Sequence, residues 1–159
     1  MSLELIADLR EKLGLLDKMK RHLAFSHTKV SYWWRVDAPF DGWSDEQLES
    51  LAALKGRFAE LQDHLAFAMK LIAMIEQEDT TRFTYVLNYM VQLGIIDDMD
   101  EWLSIRDLRN AAAHDYSATE VDKAIHFHSL LQYSDYLFKT LDSLKRFVAT
   151  AYPINNGKR

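Results

Sequence analysis

Cysteine is absent from this 159-residue chain, which excludes both a disulfide framework and any thiolate metal site and fits a reducing compartment, the cytoplasm being the expected location. Proline occurs twice and glycine five times, so the chain has few points at which a long regular element must stop. Long hydrophobic runs are missing too. The most apolar stretch, Leu65 to Ile75, is interrupted by Lys70, and the first helical turns carry Glu4, Asp8, Arg10 and Glu11. Neither a membrane span nor a signal peptide is expected. A surplus of basic residues is also lacking: 19 Lys and Arg stand against 24 Asp and Glu, a formal charge of -5. Broad coating of nucleic acid draws its free energy from many cations neutralising phosphates, so this balance argues against it. Any RNA contact must be local, with Arg106 and Arg109 as its candidate source and Arg82 and Lys123 as candidate neighbours. There is no His-Glu-x-x-His pair and no Gly-rich phosphate loop, and we expect neither a metal nor a cofactor.

What the chain does have is 48% apolar content at a helical period nearly everywhere. Its length suits one domain, residues 1–159, with a full core. The spacing predicts an all-α fold, an antiparallel up-and-down bundle of four to five helices, with four of them long. Ile6, Leu9, Leu13, Leu16, Met19 and Leu23 form one stripe, predicting a helix from about Leu3 into the mid-twenties. Ser31 to Trp43 contains Pro39 and Asp41-Gly42 and reads as a connection whose rings, Tyr32, Trp33, Trp34, Phe40 and Trp43, fold onto the open end of the bundle. Ser44-Asp45-Glu46-Gln47 has the form of a capping box. The helix it opens carries a stripe from Leu48 through Leu51, Leu54, Phe58, Leu61, Leu65, Ala68 and Ile72 to Ile75, widened by Phe67, Leu71 and Met74, with its methionines read as core filler. Asp79-Thr80-Thr81 predicts the cap of a third helix bearing Phe83, Val86, Leu87, Met90 and Val91 and ending near Gly94.

Asp97, Asp98, Asp100 and Glu101 resemble a hard-metal site at first glance. Carboxylates in a first helical turn accept from its free amides and complement the helix dipole, and that reading is preferred. Ser117-Ala118-Thr119-Glu120 then predicts a second capping box and a last helix with Ala124, Phe127, Leu131, Phe138, Leu141, Leu144 and Val148 on its stripe. His126 and His128, two positions apart, point to opposite sides of that helix and cannot chelate one ion. His22, His27 and His64 are isolated.

Between the fourth and last helices lies Arg109-Asn110-Ala111-Ala112-Ala113-His114-Asp115-Tyr116, which puts a permanent cation, an amide, an imidazole and a phenol in one short stretch. On an ideal helix Arg106, Asn110 and His114 share a face, while Arg109 sits about 140° round from His114 but is long enough to swing toward it. An imidazole can take a proton from a ribose 2′-hydroxyl or give one to a leaving 5′-oxygen, a role worth about 10²- to 10⁴-fold in rate. Arg109 would grip the phosphate as a fork, Arg106 would add to substrate binding, and Asn110 would orient the imidazole or the phosphate. One histidine cannot comfortably act as acid and base at once. A two-fold homodimer joining both copies of the stretch would supply two.

The stretch resembles the Arg-x4-His-x-Tyr signature of HEPN domains, most closely the HEPN ribonuclease toxins encoded beside a minimal nucleotidyltransferase antitoxin; Arg109, Asn110, His114 and Tyr116 all match. The resemblance is concentrated between Thr80 and Tyr116. It implies a dimeric endoribonuclease that cleaves RNA, either tRNA or mRNA, with Arg109, Asn110 and His114 catalytic, and an antitoxin that silences it by attaching adenylate to Tyr116. Arg82-Phe83-Thr84-Tyr85 also resembles an Arg-Phe-Glu-Tyr stretch of nucleotidyltransferase partner proteins, with Thr84 where those carry an acid. Two alternatives remain open: a non-catalytic partner that binds nucleotide or substrate for a transferase, and a plain helical interaction module in which Arg109 and Asn110 only tie helix ends together.

Overall fold

The computed structural model describes residues 2–111 and 119–154, and within them finds five helices and no strand. They are α1 (Leu3–Trp33), α2 (Asp45–Ile75), α3 (Phe83–Gln92), α4 (Met99–Ala111) and α5 (Glu120–Ala151), with a 3-10 turn at Phe40–Gly42. No described helix is long and apolar enough to cross a membrane. Three helices are long, at 31, 31 and 32 residues, or about 46 Å each at 1.5 Å per residue. The third and fourth segments are short, so the expected four long rods are three.

α1 runs antiparallel to α2: Arg57 donates to the Ser26 hydroxyl at 2.8 Å and to the His22 carbonyl at 3.2 Å, and Lys12 Nζ lies 2.9 Å from His64 Nδ1. α5 runs antiparallel to α1 as well, tied by Lys20–Asp142, Lys145–Asp17 and the bond from Arg10 to the Tyr152 carbonyl. The core is the meeting of their stripes. Leu9, Leu16 and Leu23 of α1, Leu54, Phe58, Leu61 and Leu65 of α2, and Leu137, Leu141 and Leu144 of α5 are fully buried, each such side chain contributing about 1.5–3 kcal/mol through lost water contact.

The capping box at Ser44 forms in both directions: the hydroxyl accepts from Gln47 N at 3.1 Å, and Gln47 Oε1 accepts from Ser44 N at 2.8 Å. α3 ends in a Schellman motif, with Gly94 at φ 74° and Ile95 N donating to the Met90 carbonyl at 3.0 Å. Only glycine takes that left-handed backbone cheaply, and the buried pair Met90 and Ile95 closes the turn. Asp98 caps α4 through Asp100 N at 3.0 Å, so this member of the acidic run acts on a helix amide as expected.

Several expected boundaries move. α1 continues to Trp33 because nothing after Leu23 breaks it before Pro39, and Ser26, Val30 and Trp34 extend its buried stripe. Asp79 does not cap α3. It accepts from Thr81 N at 2.9 Å and from the Thr81 hydroxyl, closing its own turn, and those two bonds hold its carboxyl below the usual aspartate range. The cap of α5 is Thr119, whose hydroxyl accepts from Asp122 N at 3.1 Å; Ser117 lies outside the described residues. Leu48, Phe67 and Met74 stay exposed, Phe67 beneath the Lys12 ammonium at 4.8 Å. Trp33, Trp34, Phe40 and Trp43 fold onto the bundle as expected, whereas Tyr32 does not and stays 88% exposed. Trp34 is buried, stacks on Trp43 and donates to His128 Nδ1.

Candidate functional site

α4 runs antiparallel to α5, with Trp102 against Tyr136 near its start and Arg109 beside Lys123 and Phe127 at its end. Its last turn therefore delivers Arg109 to the lip of a cleft of about 610 Å³ between α2, the 3-10 turn and the start of α5. The cleft has an apolar floor, in which Phe40 and Phe127 stack at 5.8 Å and 17°, and a mainly basic rim of Lys55, Arg109 and Lys123 beside Asp41. Lys123 lies 5.4 Å from the centre of the Phe40 ring and 3.6 Å from Glu120. The expected pairing of Lys123 with Arg109 is thus observed, with Lys55 added from α2.

The structure assigns Arg109 two partners. Its Nη2 donates to Asp63 of α2 at 2.7 Å and its Nη1 to the Asn110 side-chain oxygen at 3.0 Å, while its Nε is buried with no partner. Among the described residues only Asp63 and Asn110 accept from its guanidinium, whose fork can hold a phosphate once it leaves them. The ion pair itself is a weak tie, because its side chains are 37% and 53% exposed and exposed pairs contribute about 0–1 kcal/mol. Asn110 is exposed and occupied with Arg109. His114 and Tyr116 lie outside the described residues.

Arg106 and Arg82 are elsewhere. Arg82 stands over the Tyr85 ring at 5.9 Å, and Arg106 over Phe83 at 5.7 Å, so neither lines the Arg109 cleft. Arg106 borders a second cavity of about 320 Å³, formed by Gln62, Asp63 and Ala66 of α2, Phe83 of α3 and Trp102 of α4. Gln62 is 3% exposed, and neither its amide nitrogen nor its oxygen finds a partner. An amide left so costs about 1–3 kcal/mol. Asp63 belongs to both places, lining the second cavity and holding Arg109 from the first.

Asp63, Lys55 and Gln62 did not figure in the sequence reading. Gln62 left a signal, being four residues after Phe58 and three before Leu65 on a buried face. Asp63 left none, since its partner is 46 positions away. Of the remaining histidines, His27 donates to the Leu131 carbonyl at 2.9 Å and packs edge-on to Phe138. Among the described residues no three His, Asp or Glu side chains are grouped to hold a metal. Comparison with family models, with curated proteins and with solved structures gave no match.

Proposed function

We propose that this chain is a metal-independent endoribonuclease of the HEPN type, working as a homodimer in the cytoplasm and neutralised by a minimal nucleotidyltransferase antitoxin that adenylates Tyr116. The observation that carries the reading is Arg109, held by a weak, exposed ion pair on the rim of an aromatic-floored cleft, directly ahead of the Asn110 to Tyr116 signature. That rim suits a single phosphate and its neighbours, consistent with a net charge that argues against broad coating of nucleic acid. In the reaction, one His114 imidazole takes the 2′-hydroxyl proton as that oxygen attacks phosphorus. The bond to the 5′-oxygen breaks, the partner copy's His114 gives that oxygen a proton, and a 2′,3′-cyclic phosphate remains. Arg109 leaves Asp63 for the phosphate, an exchange made easy by the weakness of the exposed pair. The test is expression of wild type beside His114→Ala with RNA integrity as the readout. Chelator-resistant cleavage that disappears in the variant supports the reading, and cleavage that survives in the variant overturns it.

One observation favours a second reading. The 2.7 Å bond from Arg109 to Asp63 joins α4 to α2, as a structural tie in a plain interaction bundle would. In that case Arg109→Ala lowers stability and touches no RNA.

A further inference from the structure

The second cavity lies on the other side of the Asp63–Arg109 pair from the basic cleft, and its chemistry differs. A carboxamide that presents both a donor and an acceptor is buried at its wall with neither satisfied, which is rare for a polar side chain in a folded core. Beside it stand the Phe83 ring with the Arg106 guanidinium 5.7 Å from its centre, and the Trp102 indole. The volume, about 320 Å³, falls at the lower end of the roughly 300–1,000 Å³ typical of small-ligand sites. A planar heterocycle with an adjacent donor and acceptor on its edge answers both features. It would stack on the ring and guanidinium and meet the amide at two points, as unpaired bases are held by RNA-binding proteins.

We propose that this cavity is a nucleobase subsite in which Gln62 reads the edge of one unpaired base, with Phe83 and Arg106 as its stacking wall. Resting on the endoribonuclease reading, the inference places the base next to a phosphate held at Arg109, the chain passing Asp63 between the two cavities. Because a carboxamide can turn end for end, its shape selects a base over no base, and the neighbouring wall selects which base.

The experiment uses the full chain carrying His114→Ala, so that RNA stays intact, with fluorescein-labelled oligoadenylate, oligouridylate and an abasic ribose oligomer of equal phosphate number. At least one base-bearing oligomer should bind about 10-fold or more tighter than the abasic one. Adding Gln62→Met should bring that ratio near one while leaving abasic affinity unchanged, since the phosphate contacts are elsewhere. An unchanged ratio in Gln62→Met, or no base preference before the change, overturns the subsite. If Gln62→Met does not fold by circular dichroism, Phe83→Leu takes its place with the same expected loss. AMP and UMP, added separately in thermal-shift assays, distinguish the two claims. If no oligomer binds but a mononucleotide raises the melting temperature in a Gln62-dependent way, the subsite stands and the RNA reading falls. If neither oligomer nor mononucleotide binds, the subsite falls.

Discussion

Helix α2 meets α1 along one side and α4 along another, and the two seams treat polar groups in opposite ways. Against α1 the contact runs nearly the whole helix, and its polar groups are partnered: Arg57 reaches Ser26 and His22, and Lys12 reaches His64. Against α4 the contact is brief, and orphans collect there. The Gln62 amide and Arg109 Nε have no partner. A seam that only holds the protein together gains nothing from unpaired donors and loses stability by each. Their presence in the α2–α4 seam is what a surface shaped for something other than itself would show, and substitutions on the two sides should behave differently.

The largest effect belongs to the α1 seam. Leu16→Ala, at a fully buried position, should cost about 2–5 kcal/mol by leaving a cavity, read by urea denaturation, with RNA cleavage per folded molecule unchanged. At the α4 seam the balance reverses. Arg109→Ala should lose about 10²-fold or more in cleavage, or roughly 2.7 kcal/mol of transition-state stabilisation, while unfolding free energy moves by about 1 kcal/mol or less. A large stability loss with unchanged cleavage would make Arg109 a tie and erase the contrast.

Next in size is a pair of opposite signs. Ser26→Ala should cost about 1 kcal/mol, the net worth of its bond from Arg57. Gln62→Met should instead raise the unfolding free energy by about 1 kcal/mol, since it removes an amide that is buried unpaired. Loss of stability in both would mean that Gln62 has a partner in solution, such as an ordered water.

The smallest effect is alkaline. Burial pushes the Tyr152 phenol above its usual 10, helped by its bond to Glu76; burial likewise raises Tyr136, helped by the nearby Glu101, Asp97 and Asp98. Both folded pKa values exceed the unfolded one. Their stabilisation is therefore full below pH 10 and is lost as the pH rises beyond it. Denaturation midpoints at rising pH should fall, and absorbance should show both phenols ionising late. Tyr152→Phe should cost stability at neutral pH by losing the Glu76 bond, whereas Tyr136→Phe should not.

The two seams were also unequally legible in the sequence. Stripe periodicity located Leu9, Leu16 and Leu23 on one helix and Leu54, Phe58 and Leu61 on another, because burial of repeated apolar positions is a property of the local chain. The Ser44–Gln47 box and the Gly94 turn were equally local. The end of α1 is not legible because its stripe of large apolar residues stops at Leu23 and the next breakers are Pro39 and Asp41-Gly42; nothing between them breaks a helix, and the Trp34 burial rewards continuing it. Choosing between Ser117 and Thr119 as cap, or between Asp79 as cap and Asp79 as turn, depends on where the backbone bends, which hydroxyl and carboxylate types alone do not fix. The site was half visible. Arg109 and Asn110 stood out by type, but Asp63, Lys55 and Gln62 became neighbours only through the packing of α2 on α4, a long-range outcome without a motif.

The bond from Arg10 to the Tyr152 carbonyl joins groups 142 positions apart, whereas Arg57 and Ser26 are separated by 31. Loop closure scales with the logarithm of separation, so the first contact costs roughly 1.3 kcal/mol more chain entropy than the second. During synthesis the α1–α2 hairpin can therefore close while α5 is still being made, and it must wait with the leucines that α5 will cover facing water. The order of assembly follows: an early hairpin, exposed and prone to stick to its own kind, then capture by α5. Only that last docking completes the floor of the cleft, because Phe127 arrives with α5, so the cleft forms at the moment the exposed leucines are covered.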